Sequence, residues 1–163
     1  MLPLGAAATY AVTNTPFMLL TEELGWRGFA QPRLQARRSA LASAVIVGLL
    51  WSPWHLPLFL TGHLEFPFLP FALAAVAMSI LTAWLTHSTG GSIVIAALFH
   101  AATDAAWSYT GVLVGGPLLL WLVTALTWLA AIAVTVTAGA SHLRGSGHRR
   151  HAPDAAPPAP AAA

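Results

Sequence analysis

The sequence predicts an all-α fold, a polytopic transmembrane helical bundle with about five membrane-spanning helices, each near the roughly 20 apolar residues that crossing the hydrocarbon requires. Three observations carry this expectation. Of the 163 residues, 57% are hydrophobic and 7% are charged. Lysine and cysteine are both absent. The apolar stretches recur along the chain, centred near residues 18, 50, 77, 100 and 128, and a soluble core has no use for so much apolar length.

The first span carries the charge-bearing stretch "TEELGWRGF", Thr21 to Phe29. Thr15-Pro16 ahead of it reads as an N-cap followed by proline at the first helical position, so a helix is expected to start or restart there. The residues before it lack the basic start and small-residue cleavage site of a signal peptide and are read as mature structure. A second span, about Ala40 to Leu60, contains Pro53 and Pro57, which remove backbone donors and predict a kink at membrane depth. After the short turn "TGHLEFP" a third span covers about Pro67 to Leu85. The Gly-rich "THSTGGS" leads to a fourth span, about Ile93 to Tyr109, and "TGVLVGGP" leads to the fifth. Residues 1–140 are expected to form the membrane domain and 141–163, rich in Pro, Ala and Gly, a disordered basic tail.

The net charge of +2 comes from arginines at helix ends and in the tail, not from a basic face, which excludes nucleic-acid binding. Arg33, Arg37 and Arg38 after the first span fall on the same side as Arg144, Arg149 and Arg150 after the fifth, and that side is expected to be cytoplasmic, together with the C-terminus. Absent lysine beside abundant Ala, Arg and Pro fits a GC-rich bacterial genome, hence a bacterial plasma membrane. Without cysteine, any metal would sit on His, Asp or Glu.

Ionisable groups inside the spans carry the functional information, because a charge near the bilayer centre costs at least about 2.5 kcal/mol. They are Glu22, Glu23 and Arg27 in the first span, His55 in "WSPWHLP" of the second, and His100 with Asp104 in "LFHAATD" of the fourth. At i and i+4, Glu23 and Arg27 share a helix face and neutralise each other, and a structural clasp is their plainer role. Glu22, turned about 100° away, has no local cation and suits a general base. His100 and Asp104, again i and i+4, share a face that suits a water or a metal. Three unrelated spans that each bury titratable groups point to one shared site.

"EELGWRGF" with "PRL" after it, then "WSPWHLP", then "FHAATD", resemble the successive motifs of the CPBP intramembrane proteases, relatives of CAAX prenyl endopeptidases and bacteriocin-immunity proteins. The resemblance covers about Thr15 to Tyr109. It implies an intramembrane endopeptidase whose cavity opens to cytoplasm and bilayer, with Glu22 and His55 activating water, His100 and Asp104 steadying the oxyanion or the water, and Glu23 and Arg27 in support. The implied partners are the bilayer and a CAAX-type prenylated or hydrophobic peptide. Cofactor need stands between none and zinc, the zinc alternative drawing on Glu22, His55, His100 and Asp104. Asp104 departs from the Asn common in the family: an ionised carboxylate would repel an oxyanion, so it is either protonated or beside something positive. Trp51 stands where Phe is usual and is expected to alter packing more than chemistry. The chain is also shorter than the roughly eight-helix members.

Other candidates are bland by comparison. His63, Glu65 and His87 are expected on solvated surface, and His142, His148 and His151 in a basic tail near anionic lipid. Trp26 and Trp54, neighbours of the motifs, are expected to wall the cavity. Two other function classes fit buried acids and histidines: a noncatalytic immunity or partner-binding protein, and a proton-coupled carrier. The second is disfavoured by the absence of an internal repeat.

Overall fold

The computed structural model describes residues 4–112 and 114–144. Helix is the regular structure among these residues, and no strand occurs among them. The chain enters as one continuous rod: α1 (Leu4–Met18), two wider π-helical turns (Leu19–Glu23 and Trp26–Ala30), and α2 (Gln31–Gln35). α3 (Ala40–Trp54) and the short α4 (Leu56–Leu60) form a second, kinked rod. α5 (Phe68–Ser88), α6 (Ile93–Tyr109) and α7 (Pro117–Ala138) follow.

Three helical stretches among the described residues are long and apolar enough to cross a membrane: Ala40–Leu60, Phe68–Ser88 and Pro117–Ala138. The expected spans near residues 18 and 100 are helical but do not meet that measure. α6 has 17 residues, about 26 Å at 1.5 Å per residue, and α1 has 15 before the charged π-helical turns begin. Nor does the first helix restart at Thr15-Pro16. Pro16 lies inside α1, while the Thr15 hydroxyl donates to Ala11 O at 2.8 Å rather than capping.

Packing places α5 at the centre, with α3 on one side and α7 on the other, while α1 lies along α6. In lipid, apolar burial drives helices together weakly, so small residues and interhelical hydrogen bonds decide the contact. The α3–α5 seam follows this rule. Gly48 faces Val76 so closely that an added Cβ would stand 2.7 Å from the Val76 Cα. Ser79 Oγ donates to Ala44 O at 2.8 Å, and Ser52 Oγ to Ala72 O at 3.0 Å. Across the other seam, Thr124 Oγ1 donates to Pro70 O and Trp128 Nε1 to Leu73 O.

Ser39 caps α3 by accepting from Ala42 N at 3.2 Å, and Ser92 caps α6 by accepting from Ile95 N at 3.3 Å. The turn before α6 runs through Gly90 (φ +68°) and Gly91 (φ +88°), left-handed conformations that explain the glycine pair. Residues 141–144, assigned by composition to the tail, instead pack on the bundle. Ala40 and Leu41 donate to Ser141 O and Ala140 O, and Leu143 is fully buried against Ala40, Ala44 and Ala77. Arg144 Nε donates to His87 O at 3.3 Å. The corner carrying Arg37 and Arg38 and the segment carrying Arg144 therefore share one end of the bundle. Arg149, Arg150, His148 and His151 lie outside the described residues.

Candidate active site

The kink at His55 builds half of the site. Pro57 has no N–H to give to Pro53 O, so the helix cannot continue unbroken. His55 N–H turns to Ser52 O at 3.2 Å instead of reaching Trp51, four residues back. The Trp51 carbonyl takes the side chain: His55 Nδ1 lies 2.9 Å from Trp51 O. A carbonyl only accepts, so Nδ1 carries the hydrogen and Nε2 presents its lone pair. That lone pair faces Glu22, whose Oε1 stands 3.9 Å away. The other carboxylate oxygen, Oε2, accepts from the indole Nε1–H of Trp51. The side chains of Glu22 and His55 keep 13% and 15% of their surface exposed, enough for water to reach them.

The π-helical turns of the first rod build the second half. π-helical turns widen the helix and recur at functional sites; here they carry Glu22, Glu23 and Arg27. Glu23 Oε1 accepts from Arg27 NH1 at 3.1 Å and from His100 Nδ1 at 2.9 Å, with Glu23 and Arg27 buried. Glu23 thus joins the first rod to α6 and fixes the second histidine as an Nδ1–H donor. His100 Nε2 lies 3.8 Å from Asp104 Oδ2, whose side chain is 40% exposed.

Glu22, His55, His100 and Asp104 line one cavity of about 320 Å³, between the first rod, α3, α5 and α6. Its remaining wall is mostly apolar and aromatic, with Phe66, Phe71 and Trp107 among the lining residues. Phe71 meets the His55 ring edge to face at 5.1 Å. Among the described residues, no three of His, Asp and Glu gather closely enough to hold a metal ion. His100 Nδ1 and one oxygen of Glu23 are already engaged with each other. As they stand, these side chains do not form the three-ligand set of a catalytic zinc site.

The family model of Type II CAAX prenyl endopeptidase Rce1-like proteins matches residues 5–106. The chain belongs to this family. A relative from Methanococcus maripaludis named CAAX prenyl protease 2 is 35% identical over 88 residues, covering 48% of this chain and 32% of the relative. The chain therefore spans about a third of that protein's length. No solved structure matches.

All four residues singled out in the sequence, Glu22, His55, His100 and Asp104, come to the cavity, and Glu23 and Arg27 contact its lining residues His100 and Trp51 from behind. Three expectations about neighbouring residues are revised. Trp51 does more than pack: it hydrogen-bonds Glu22 with its ring, holds His55 with its carbonyl, and lies edge to face on His100 at 5.0 Å. Its position four residues before a histidine, beside two prolines, was the available signal, but an N–H aimed across to another helix leaves no trace in spacing. Trp26 and Trp54 meet edge to face at 6.2 Å rather than wall the cavity; Trp51 and Trp107 line it. His87 is half-buried, with Nε2 3.1 Å from Gln35. His63 and Glu65 are exposed, as expected.

Proposed function

We propose that this Rce1-like chain is an intramembrane endopeptidase in which Glu22 and His55 activate a water to hydrolyse a peptide bond. The observation that carries the reading is the 3.9 Å gap between Glu22 Oε1 and the free Nε2 of His55. Such a gap is too long for a direct hydrogen bond and suits one bridging water. Glu22 takes a proton from that water while His55 Nε2 accepts its second hydrogen and orients it. The oxygen attacks the carbonyl carbon, and the proton held by Glu22 passes to the leaving nitrogen as the C–N bond breaks. His100 in its imidazolium form donates Nδ1–H to Glu23 and presents Nε2–H to the developing oxyanion.

The substrate class we assign is a peptide with an apolar or prenylated tail, of the CAAX type for which the M. maripaludis relative is named. An aromatic wall around a polar catalytic edge suits a substrate arriving from lipid. The arginine-bearing end, with Arg37, Arg38 and Arg144, would face the cytoplasm.

The test is cleavage of a farnesylated CAAX peptide and a plain hydrophobic peptide by detergent-purified protein. Wild type and Glu22→Gln, His55→Ala and His100→Ala are compared, with and without chelator. Cleavage by wild type, lost in Glu22→Gln and retained under stringent chelation, supports the reading. Equal cleavage by all the variants rejects the site, and loss under chelation rejects the metal-free step.

A further inference from the structure

We infer that Trp51 is a positioning residue for the attack on the peptide bond: its indole N–H anchors Glu22 Oε2 and thereby aims Glu22 Oε1 at the water shared with His55. The inference rests on Glu22 being the base, as read above, and adds what holds that base in place.

A glutamate has three side-chain torsions, and a general base that samples many of them loses the alignment on which its rate depends. Glu22 lies on a π-helical turn, while Glu23 beside it, rather than Glu22, takes the Arg27 bond. The indole Nε1–H from α3 is the hydrogen bond that Glu22 receives across the site. One carboxylate oxygen is held and the other is left for chemistry.

Trp51 itself has little freedom to drift. It is buried, with 5% of its surface exposed, and packs against Ala75 and Met78 of α5. The Arg27 guanidinium lies over its ring at 5.0 Å, a cation–π contact that keeps the indole plane fixed and its N–H directed at Glu22. The same residue's carbonyl sets the His55 tautomer. One side chain and its own backbone therefore orient both groups that would bracket the water. Trp51 lines the cavity, and its part in the attack runs through Glu22 and His55.

The test separates the N–H from the ring. Position 51 is varied in the full chain as Trp51→Phe, as the benzothiophene analogue of tryptophan, which keeps the shape and lacks the N–H, and as 5-fluorotryptophan, which keeps both. Cleavage of the farnesylated CAAX peptide is followed alongside thermal unfolding. The expected result is a fall in kcat of about tenfold to a hundredfold for the first two, with KM within about twofold, and near wild-type kcat for 5-fluorotryptophan. A benzothiophene variant with wild-type kcat overturns the inference. Glu22→Gln cutting as fast as wild type overturns the underlying reading instead.

An activity-free measurement guards against loss of folding. In protein labelled with 15N-tryptophan, the indole N–H resonance that disappears in Trp51→Phe is expected downfield of the other indoles and should move upfield in Glu22→Ala. An unmoved resonance means the bond to Glu22 does not exist, and the inference fails whatever the kinetics show.

Discussion

Glu23 Oε1 is shared: Arg27 NH1 reaches it at 3.1 Å and His100 Nδ1 at 2.9 Å. One buried carboxylate oxygen thus ties the first rod to α6 and settles which nitrogen of His100 faces the cavity. The two adjacent glutamates consequently have different work. Glu23 is buried with one oxygen given to two donors, whereas Glu22 keeps an oxygen toward the cavity.

From this sharing, Glu23→Gln is expected to hurt folding before chemistry. Breaking a buried pair by removing one partner's charge leaves the other uncompensated, at about 3–5 kcal/mol. Arg27 is 2% exposed and has no second carboxylate bonded to it among the described residues. Thermal unfolding in detergent should show Glu23→Gln far below wild type and Glu22→Gln close to it. Equal melting of the two variants contradicts the division of roles.

Cleavage should invert that order. A general base contributes about 10² to 10⁴ in rate, so Glu22→Gln should lose at least a hundredfold in kcat while remaining folded. His55→Ala should lose a comparable amount, since it removes the second contact of the same water. A milder loss in both, with kcat within tenfold of wild type, means the water is activated elsewhere.

Asp104 is set apart from the other three by its exposure and by its 3.8 Å separation from His100 Nε2. An amide keeps an acceptor for His100 and adds a donor that a carboxylate lacks. Asp104→Asn is therefore expected to keep kcat within about fivefold, the worth of one ordinary hydrogen bond. Asp104→Leu, which offers neither donor nor acceptor, should fall further. If Asp104→Asn is as inactive as Asp104→Leu, the negative charge itself is needed.

Much of this site is legible in the sequence, because a bilayer makes buried charge costly and so leaves few candidates. Glu22, His55, His100 and Asp104 were the ionisable groups within the spans, apart from the Glu23–Arg27 pair, and all four line one cavity. The i,i+4 partnership of Glu23 and Arg27 was legible for the same reason. Three-dimensional bonds between elements were not. Nothing in the spacing says that His100 reaches Glu23 across 77 positions, or that the Trp51 indole reaches Glu22 across 29. The π-helical winding at Leu19–Glu23 and Trp26–Ala30 also escapes sequence periodicity, since a single widened turn shifts the register too briefly to change an apolar pattern. Composition misled at residues 141–144. Leu143 among polar neighbours reads as tail, yet it fills a pocket lined by alanines.

The α3–α5 seam gives a prediction about stability first and chemistry second. Gly48 lies one helical turn ahead of Ser52 and two ahead of His55, on the buried face of α3. A Cβ there would sit 2.7 Å from the Val76 Cα and 3.1 Å from the Ser79 Cβ, and the nearest of these is backbone that cannot swing aside. Gly48→Ala must push the helices apart, loosening the Ser79–Ala44 and Ser52–Ala72 bonds that cross the seam. Overpacking of this kind costs about 1–3 kcal/mol, more than alanine regains through its better helix propensity, about 1 kcal/mol. Thermal unfolding in detergent should show a lower Tm for Gly48→Ala. At a temperature where both proteins are folded, kcat should fall as well, because Trp51, which holds Glu22 and His55, packs across the same seam on Ala75 and Met78. A raised Tm would mean that the two helices approach less closely than the 2.7 Å contact requires.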